Sequence, residues 1–264
     1  MTTALSVRGA TKRFGAVLAL DSVDLDVDHG EVVALLGDNG AGKSTLIKCI
    51  SGVHRLDSGH VEIDGKPVNL SSPAVARAHG IETVYQDLAL FDNLDPAANF
   101  FAGREHASPS WLPRPLRVLK RRSMMASTVS VLDRLQVSIP DPTAAVGLMS
   151  GGQRQVVAVA RAAAFPARVV ILDEPTAALG VRESRKVLDL IRRLRDDGHA
   201  VVVISHAMDH VIEVADRAVV MRRGRNVGEE RPGPGTQQRI VALIVGTSPE
   251  PPTDHPTNQG DRNP

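Results

Sequence analysis

Aromatic residues are scarce in this sequence. Phe, Trp and Tyr together make up 3% of 264 residues, with one Trp and one Tyr. Few side chains are therefore available to stack on bases, which argues against a nucleic-acid binder. An excess of either charge is missing too: 31 Lys and Arg stand against 30 Asp and Glu, a formal net charge of +1. Near-neutrality excludes bulk attraction to nucleic acid or to an anionic membrane. The one cysteine, Cys49, cannot form an internal disulfide, as suits a reducing compartment. No apolar run approaches the roughly 18 residues needed to span a bilayer. Residues 1–13 lack a charged head followed by an apolar core, so no signal peptide is expected. The expectation is a chain that stays in the cytoplasm and reaches a membrane only through a partner.

What is present is patterning. The length suits one large domain or two modest ones and can bury a substantial core. Residues 22–28 (SVDLDVD) alternate, with Val23, Leu25 and Val27 on one side, as in a half-buried strand. Residues 31–36 (EVVALL) form a continuous apolar run ending in a glycine loop, which predicts a buried strand and a helix from about Gly42. Residues 61–70 (VEIDGKPVNL) predict a hairpin. The runs 168–172 (RVVIL) and 200–204 (AVVVI) predict buried parallel strands. Between them Val187, Leu190, Ile191 and Leu194 share one helical face, completing a βαβ unit. Together these patterns predict an α/β core with an antiparallel β part, and a mostly helical segment at about 87–165. Residues 247–264 are Pro-rich and polar and are expected to be disordered.

Three clusters carry chemistry. Gly37-Asp38-Asn39-Gly40-Ala41-Gly42-Lys43-Ser44-Thr45 matches G-x-x-x-x-G-K-[ST], between a predicted strand and a predicted helix. Glycines let backbone N–H groups close around phosphate oxygens, and the helix N-terminus adds partial positive charge. Lys43 then pairs with the β- and γ-phosphates and the Ser44 hydroxyl ligates Mg²⁺. The second cluster is Asp173-Glu174, at the C-terminal end of an apolar strand, where ligands bind in open α/β sheets. Asp173 is placed to hold Mg²⁺, and Glu174 to polarise an attacking water. The third is Ser150-Gly151-Gly152-Gln153, which opens a helical run. It reads either as a second phosphate-facing helix N-terminus, serving another molecule's nucleotide, or as a plain helix capped by Ser150.

In this order these elements resemble the ATP-binding cassette (ABC) ATPase family over about residues 4–246. GDNGAGKST resembles its Walker A motif, MSGGQRQ its signature motif and VVILDE its Walker B motif. Gln86 in ETVYQD resembles the Q-loop glutamine, His206 after Ser205 the switch histidine, and Phe14 in KRFGAV the aromatic that stacks on adenine. For Phe14, a place in the core is the competing expectation. The resemblance implies the ABC ATPase fold within residues 1–246: an α/β, P-loop NTPase core with an antiparallel β subdomain and a helical subdomain carrying the signature motif. It implies ATP and Mg²⁺ as ligands. The nucleotide would lie among Phe14 and residues Gly37 to Thr45, facing Ser150, Gly151, Gly152 and Gln153 of a second copy. Ser44, Gln86 and Asp173 would hold the metal; Glu174, His206, Gln86 and Lys43 form the catalytic set.

The resemblance also implies a homodimer sandwiching two nucleotides, with two permease subunits in the membrane and the chain peripheral on its inner face. Two departures stand out. Met149 replaces the usual leucine of the signature motif, and Gly180 replaces the aspartate of the usual S-A-L-D. The TAALG stretch, with GIETVYQDLAL and DPAANFF, resembles the monosaccharide-import branch of fructose, ribose and xylose type, which implies an extracytoplasmic sugar-binding protein as an indirect partner. Transport of a non-sugar substrate is the alternative. A soluble role in DNA repair or translation would call for a coiled-coil insertion or two cassettes joined by a basic linker, and the sequence has neither. Phe91 and Leu94 are expected either to pack inside the helical segment or to form a groove for a permease helix.

Overall fold

The computed structural model describes residues 2–108 and 118–247. The Pro-rich stretch from residue 248 on lies outside the described residues, as do residues 109–117 within the segment expected to be helical.

The chain opens with two long antiparallel strands, β1 (Thr3–Phe14) and β2 (Val17–Asp28). The alternation at 22–28 is thus the second half of a longer strand. β1 is hidden from a period-two reading because its register slips between Val7 and Ala10, where Gly9 has φ +56. Next come β3 (Val32–Leu36), α1 (Lys43–Ile50), β4 (Ser58–Ile63) and β5 (Lys66–Val68), with β4 and β5 paired as the expected hairpin. β1, β2, β4 and β5 form a four-stranded antiparallel sheet.

The chain continues through α2 (Pro73–Ala78) to β6 (Ile81–Val84). The segment expected to be mostly helical holds α3 (Pro96–Phe100), a strand pair β7 (Ala107–Ser108) and β8 (Val118–Leu119), α4 (Arg121–Arg134) and α5 (Gly151–Ala162). It is less helical than expected. Asp92, Asn93 and Asp95 before α3, and Pro140 and Pro142 before α5, favour turns over helix. The rest comprises β9 (Val169–Asp173), α6 (Val181–Asp196), β10 (Ala200–Ile204), α7 (Met208–Val214), β11 (Arg217–Arg222), β12 (Arg225–Glu230) and α8 (Thr236–Val245).

The central sheet runs β12-β11-β3-β10-β9-β6. Its strands are parallel except β12. Both faces are covered, which is why β3, β9 and β10 are continuously apolar. Val32, Ala34 and Leu36 pack on one side with α5 and α6, while Val33 and Leu35 pack on the other with α1 and the antiparallel sheet. On α6 the four predicted face residues Val187, Leu190, Ile191 and Leu194 are all buried. Among the described residues no helix is long and apolar enough to cross a membrane.

Candidate active site

Parallel pairing sets the strand ends side by side. Val84 of β6 pairs with Leu172 of β9, Asp173 with Ile204 of β10, and Ile204 in turn lies beside Leu35 of β3. The loop from Gly37, Tyr85-Gln86, Glu174 and Ser205-His206 therefore leave the sheet at one edge, although 169 positions separate Gly37 from His206.

The loop from Gly37 to Gly42 is built on close backbone contacts. A Cβ at Gly37 would lie 2.2 Å from the Met221 carbonyl oxygen, and one at Gly42 would lie 2.7 Å from that of Ala19. Gly42 has φ +105 and gives α1 no side-chain cap, so the first-turn amides stay open to an anion. The Gly224 N–H donates to Ala41 O at 2.9 Å and Gly224 O accepts from Asp21 N–H at 2.8 Å, locking the β11–β12 turn behind the loop. Sequence reasoning did not single out Gly224; its place between two apolar-then-polar strands, Arg-Arg-Gly-Arg, is the hairpin signal that marks it. Asp38, Asn39, Gly40 and Ser44 are exposed, and Thr45 is half-buried. Lys43 is buried, its Nζ donating to Gly37 O at 2.6 Å and Asp38 O at 2.9 Å. Burial pushes its pKa down, against the pull of Glu174, Asp38 and Asp173.

Glu174 follows β9 with φ +51, a left-handed conformation rare for a side-chain-bearing residue. Its amide donates to Ile204 O at 2.9 Å. Its Oε2 accepts from His206 N–H at 3.4 Å, and Oε1 lies 3.2 Å from His206 Nε2. That Oε1 is buried and has no aligned hydrogen-bond donor, so it is free to accept one. Burial raises the pKa of Glu174; His206 opposes the rise and Asp173 adds to it. Asp173, half-buried, is also raised by burial, opposed by Lys43, Lys48 and His206. Two carboxylates, one ammonium and one imidazole thus share a partly desolvated edge. Gln86 is exposed there, and the Tyr85 hydroxyl before it donates to Ser51 Oγ at 2.9 Å, tying this segment to the end of α1.

Phe14 is 43% exposed, which removes the core alternative. Its ring meets His54 edge-on, with centroids 5.2 Å apart.

Ser150 caps α5 in a reciprocal box: its hydroxyl accepts from Gln153 N–H at 3.3 Å, and Gln153 Oε1 accepts from Ser150 N–H at 2.8 Å. Ser150 and Gly151 are exposed, and nothing lies within 4 Å of a Cβ built at Gly151. The capped helix and the outward-facing loop are therefore the same structure. Gly152 is buried against Glu183, whose Cγ lies 2.4 Å from where a Cβ would stand. Glu183 Oε2 also lies 2.7 Å from a Cβ position at Gly180. A carboxylate thus reaches the place left by the missing aspartate, from three residues further on. The signal that could have found it is the spacing: Glu183 stands at the third position of α6, from which a first-turn acid reaches back to the N-cap, here Gly180.

Similarity to known proteins agrees with this geometry. Residues 20–177 match the ABC transporter family. The chain is 49% identical over 251 residues to the fructose import ATP-binding protein FrcA of Rhizobium meliloti, covering 95% of this chain and 96% of that one. It is 50% identical over 245 residues to the xylose/arabinose import ATP-binding protein XylG of Sulfolobus acidocaldarius, covering 93% and 95%. Among solved structures, the ADP conformation of MJ1267, an ATP-binding cassette of an ABC transporter, superposes with a TM-score of 0.78 at 25% identity, covering 93% of this chain and all of that one. In sequence and in fold, this chain belongs to the ABC transporter family.

Proposed function

We propose that this chain binds and hydrolyses ATP as one half of a homodimeric motor that powers import of a simple sugar such as fructose, ribose or xylose. The observation that carries the chemistry is the convergence, on one strand edge, of the open α1 N-terminus, Lys43 and the Glu174–His206 pair. Lys43 exchanges its loop carbonyls for β- and γ-phosphate oxygens, and the loop amides take the remaining phosphate charge. Ser44, Gln86 and Asp173 offer hydroxyl, amide and carboxylate oxygens, the hard donor set that suits Mg²⁺. Mg²⁺, when bound, neutralises charge on the phosphate oxygens. Glu174, its basicity raised by burial, accepts a proton from water as the water oxygen attacks the γ-phosphorus. ADP leaves with the electron pair of the broken P–O bond. His206 orients the Glu174 carboxylate and faces the γ-phosphate side. Phe14 offers its exposed ring to the adenine.

The Ser150–Gln153 loop, through its exposed Ser150 and Gly151, meets the nucleotide held by the second copy, which makes the dimer a requirement for turnover. The names of the relatives, import of fructose and of xylose or arabinose, support a sugar as cargo. The chain then works from the inner membrane face through two permease subunits, with an extracytoplasmic sugar-binding protein delivering the cargo. Phe91, 54% exposed, and half-buried Leu94 line a groove of about 840 Å³ that also takes in Met124 and Met125. With an apolar floor and Asp95, Arg121 and Arg122 along its lining, this groove suits an amphipathic permease helix.

Glu174→Gln is expected to keep ATP binding, to cut hydrolysis by about a hundredfold or more, and to elute as a dimer when ATP is present. Turnover at a near wild-type rate removes this assignment.

A further inference from the structure

The loop that carries Phe91 and Leu94 is held as a rigid piece. Asn99, fully buried on α3, accepts from Phe91 N–H at 2.7 Å and donates to the carbonyls of Phe91, Leu94 and Asp95 at 3.1–3.2 Å. The Leu94 N–H closes the turn on Phe91 O at 3.1 Å. This turn is in turn fastened to the residues just before Ser150. Val146 N–H donates to Leu94 O at 2.9 Å and Gly147 N–H to Asp92 O at 2.8 Å. Arg154, in the first turn of α5, donates to Asp92 Oδ1 at 2.5 Å. The approach is close enough that a Cβ at Gly147 would stand 2.9 Å from Asp92 O and 3.2 Å from Asp92 Cβ. Gly147 does not have a left-handed φ, so its lack of a side chain serves this contact and not the backbone conformation.

We propose that Asp92, Gly147 and Arg154 are positioning residues: they clasp the Phe91–Leu94 turn to the Ser150–Gln153 loop, so that the two move as one body. The inference rests on the reading that Phe91 and Leu94 meet the permease and that Ser150 meets the second copy's nucleotide. A helix docking on Phe91 then shifts the Ser150 loop directly, through two backbone hydrogen bonds and one ion pair, without passing through the sheet. The exposed ion pair alone is a weak link, since Asp92 is largely open to water; the backbone bonds and the tight Gly147 contact carry most of the stiffness. Linkage is reciprocal, so engagement of nucleotide at Ser150 must be felt at residue 91.

The isolated protein tests this without a permease. Cys49, the only cysteine in the sequence, is buried and its thiol is pushed up to about 11, so a cysteine placed at exposed position 91 labels alone. Phe91→Cys in a Glu174→Gln background carries an environment-sensitive fluorophore. Addition of ATP and Mg²⁺ should shift its emission as the dimer forms, with gel filtration following the dimer in the same samples. Gly147→Ala, which drives Asp92 away, should abolish the shift while ATP still brings the dimer together. An undiminished shift in dimeric Gly147→Ala overturns the clasp and leaves permease docking untouched. If Gly147→Ala loses its cooperative melt, Asp92→Arg and Arg154→Asp replace it: each alone weakens the shift, and the two combined restore it. No restoration in the charge-swapped pair overturns the inference. Absence of any ATP-driven dimer in the labelled parent overturns the nucleotide sandwich, and the clasp falls with it.

Discussion

Glu174 occupies a backbone conformation that costs a side-chain-bearing residue about 1 kcal/mol or more, and it keeps a carboxylate partly away from water. Both penalties fall on the residue proposed to activate water. They have a consequence for stability. Burial raises the Glu174 pKa above its ordinary value, despite His206 and Lys43 and with Asp173 adding to the rise. From the ordinary value up to the raised one, the folded protein holds more protons than the unfolded chain. Stability therefore falls as pH rises through that window, and the penalty is fully present above it. Glu174→Gln removes the penalty. Without nucleotide, the Gln variant should melt above the wild type at pH 7.5, and the gap should close as pH is lowered through the ordinary carboxylate range. Thermal melts over this pH range check this. A gap that does not change with pH would show that burial of the charge is not its origin.

At the scale of elements, the turn before α3 shows how a polar run organises an apolar display. Asp95 caps α3 by accepting from Ala98 N–H at 2.7 Å, Pro96 starts the helix, and Asn99 satisfies the turn's backbone from inside. Phe91 is left facing outward over the groove it shares with Leu94 and Met124. The sequence already left Phe91 between core and docking surface; its exposure removes it from the core. Phe91→Asp should then fold normally and keep soluble ATPase activity within about twofold, since an exposed substitution typically changes stability by less than about 0.5 kcal/mol. Permease co-purification and sugar uptake should fall at least tenfold, because a charge would have to be desolvated in an apolar contact. Unchanged uptake in a reconstituted transporter places docking elsewhere. Much of the element layout was legible beforehand: β3, β9 and β10 as buried runs, the β4–β5 hairpin, and the apolar face of α6. β1 and β6 were not. β1 is broken by bulges, and β6 spans only Ile81–Val84, where half-buried Glu82 and Thr83 separate two buried ends and leave neither an apolar run nor an alternation.

At the scale of the whole molecule, the two surfaces proposed to face nucleotide are on different parts of the chain: the Gly37–Thr45 loop at the sheet edge and the Ser150–Gln153 loop at the head of α5. Division of labour between two copies follows. Ser150→Arg should leave ATP affinity of the monomer near wild type and block dimerisation and turnover. Lys43→Ala should weaken ATP affinity by roughly ten- to a hundredfold, as expected for loss of a charge-assisted contact of about 1.5–3 kcal/mol. Each variant alone is expected to be nearly inactive. Mixed together, they form some dimers in which the intact loop of one copy faces the intact Ser150 of the other, so part of the ATPase activity returns. Titration of one variant into the other, followed by phosphate release, measures it. Full activity of Ser150→Arg alone contradicts the shared site.

The sequence by itself determined the chemistry-bearing segments, because each is local: a glycine run that only backbone close approach requires, two acids ending an apolar strand, a serine that caps a helix. It also determined that the central strands are buried on both faces, since an unbroken apolar run has no polar side to show. Tertiary structure decided what those segments do to one another. Pairing register brought Glu174 to His206, a turn at Gly224 braced the Ala41 carbonyl, and packing of α6 on α5 set Glu183 against Gly152. The clasp from Asp92 to Gly147 and Arg154 joins residues more than fifty positions apart. Contacts of that kind depend on how twisted sheet and helices stack in space, and no periodicity along the chain records them.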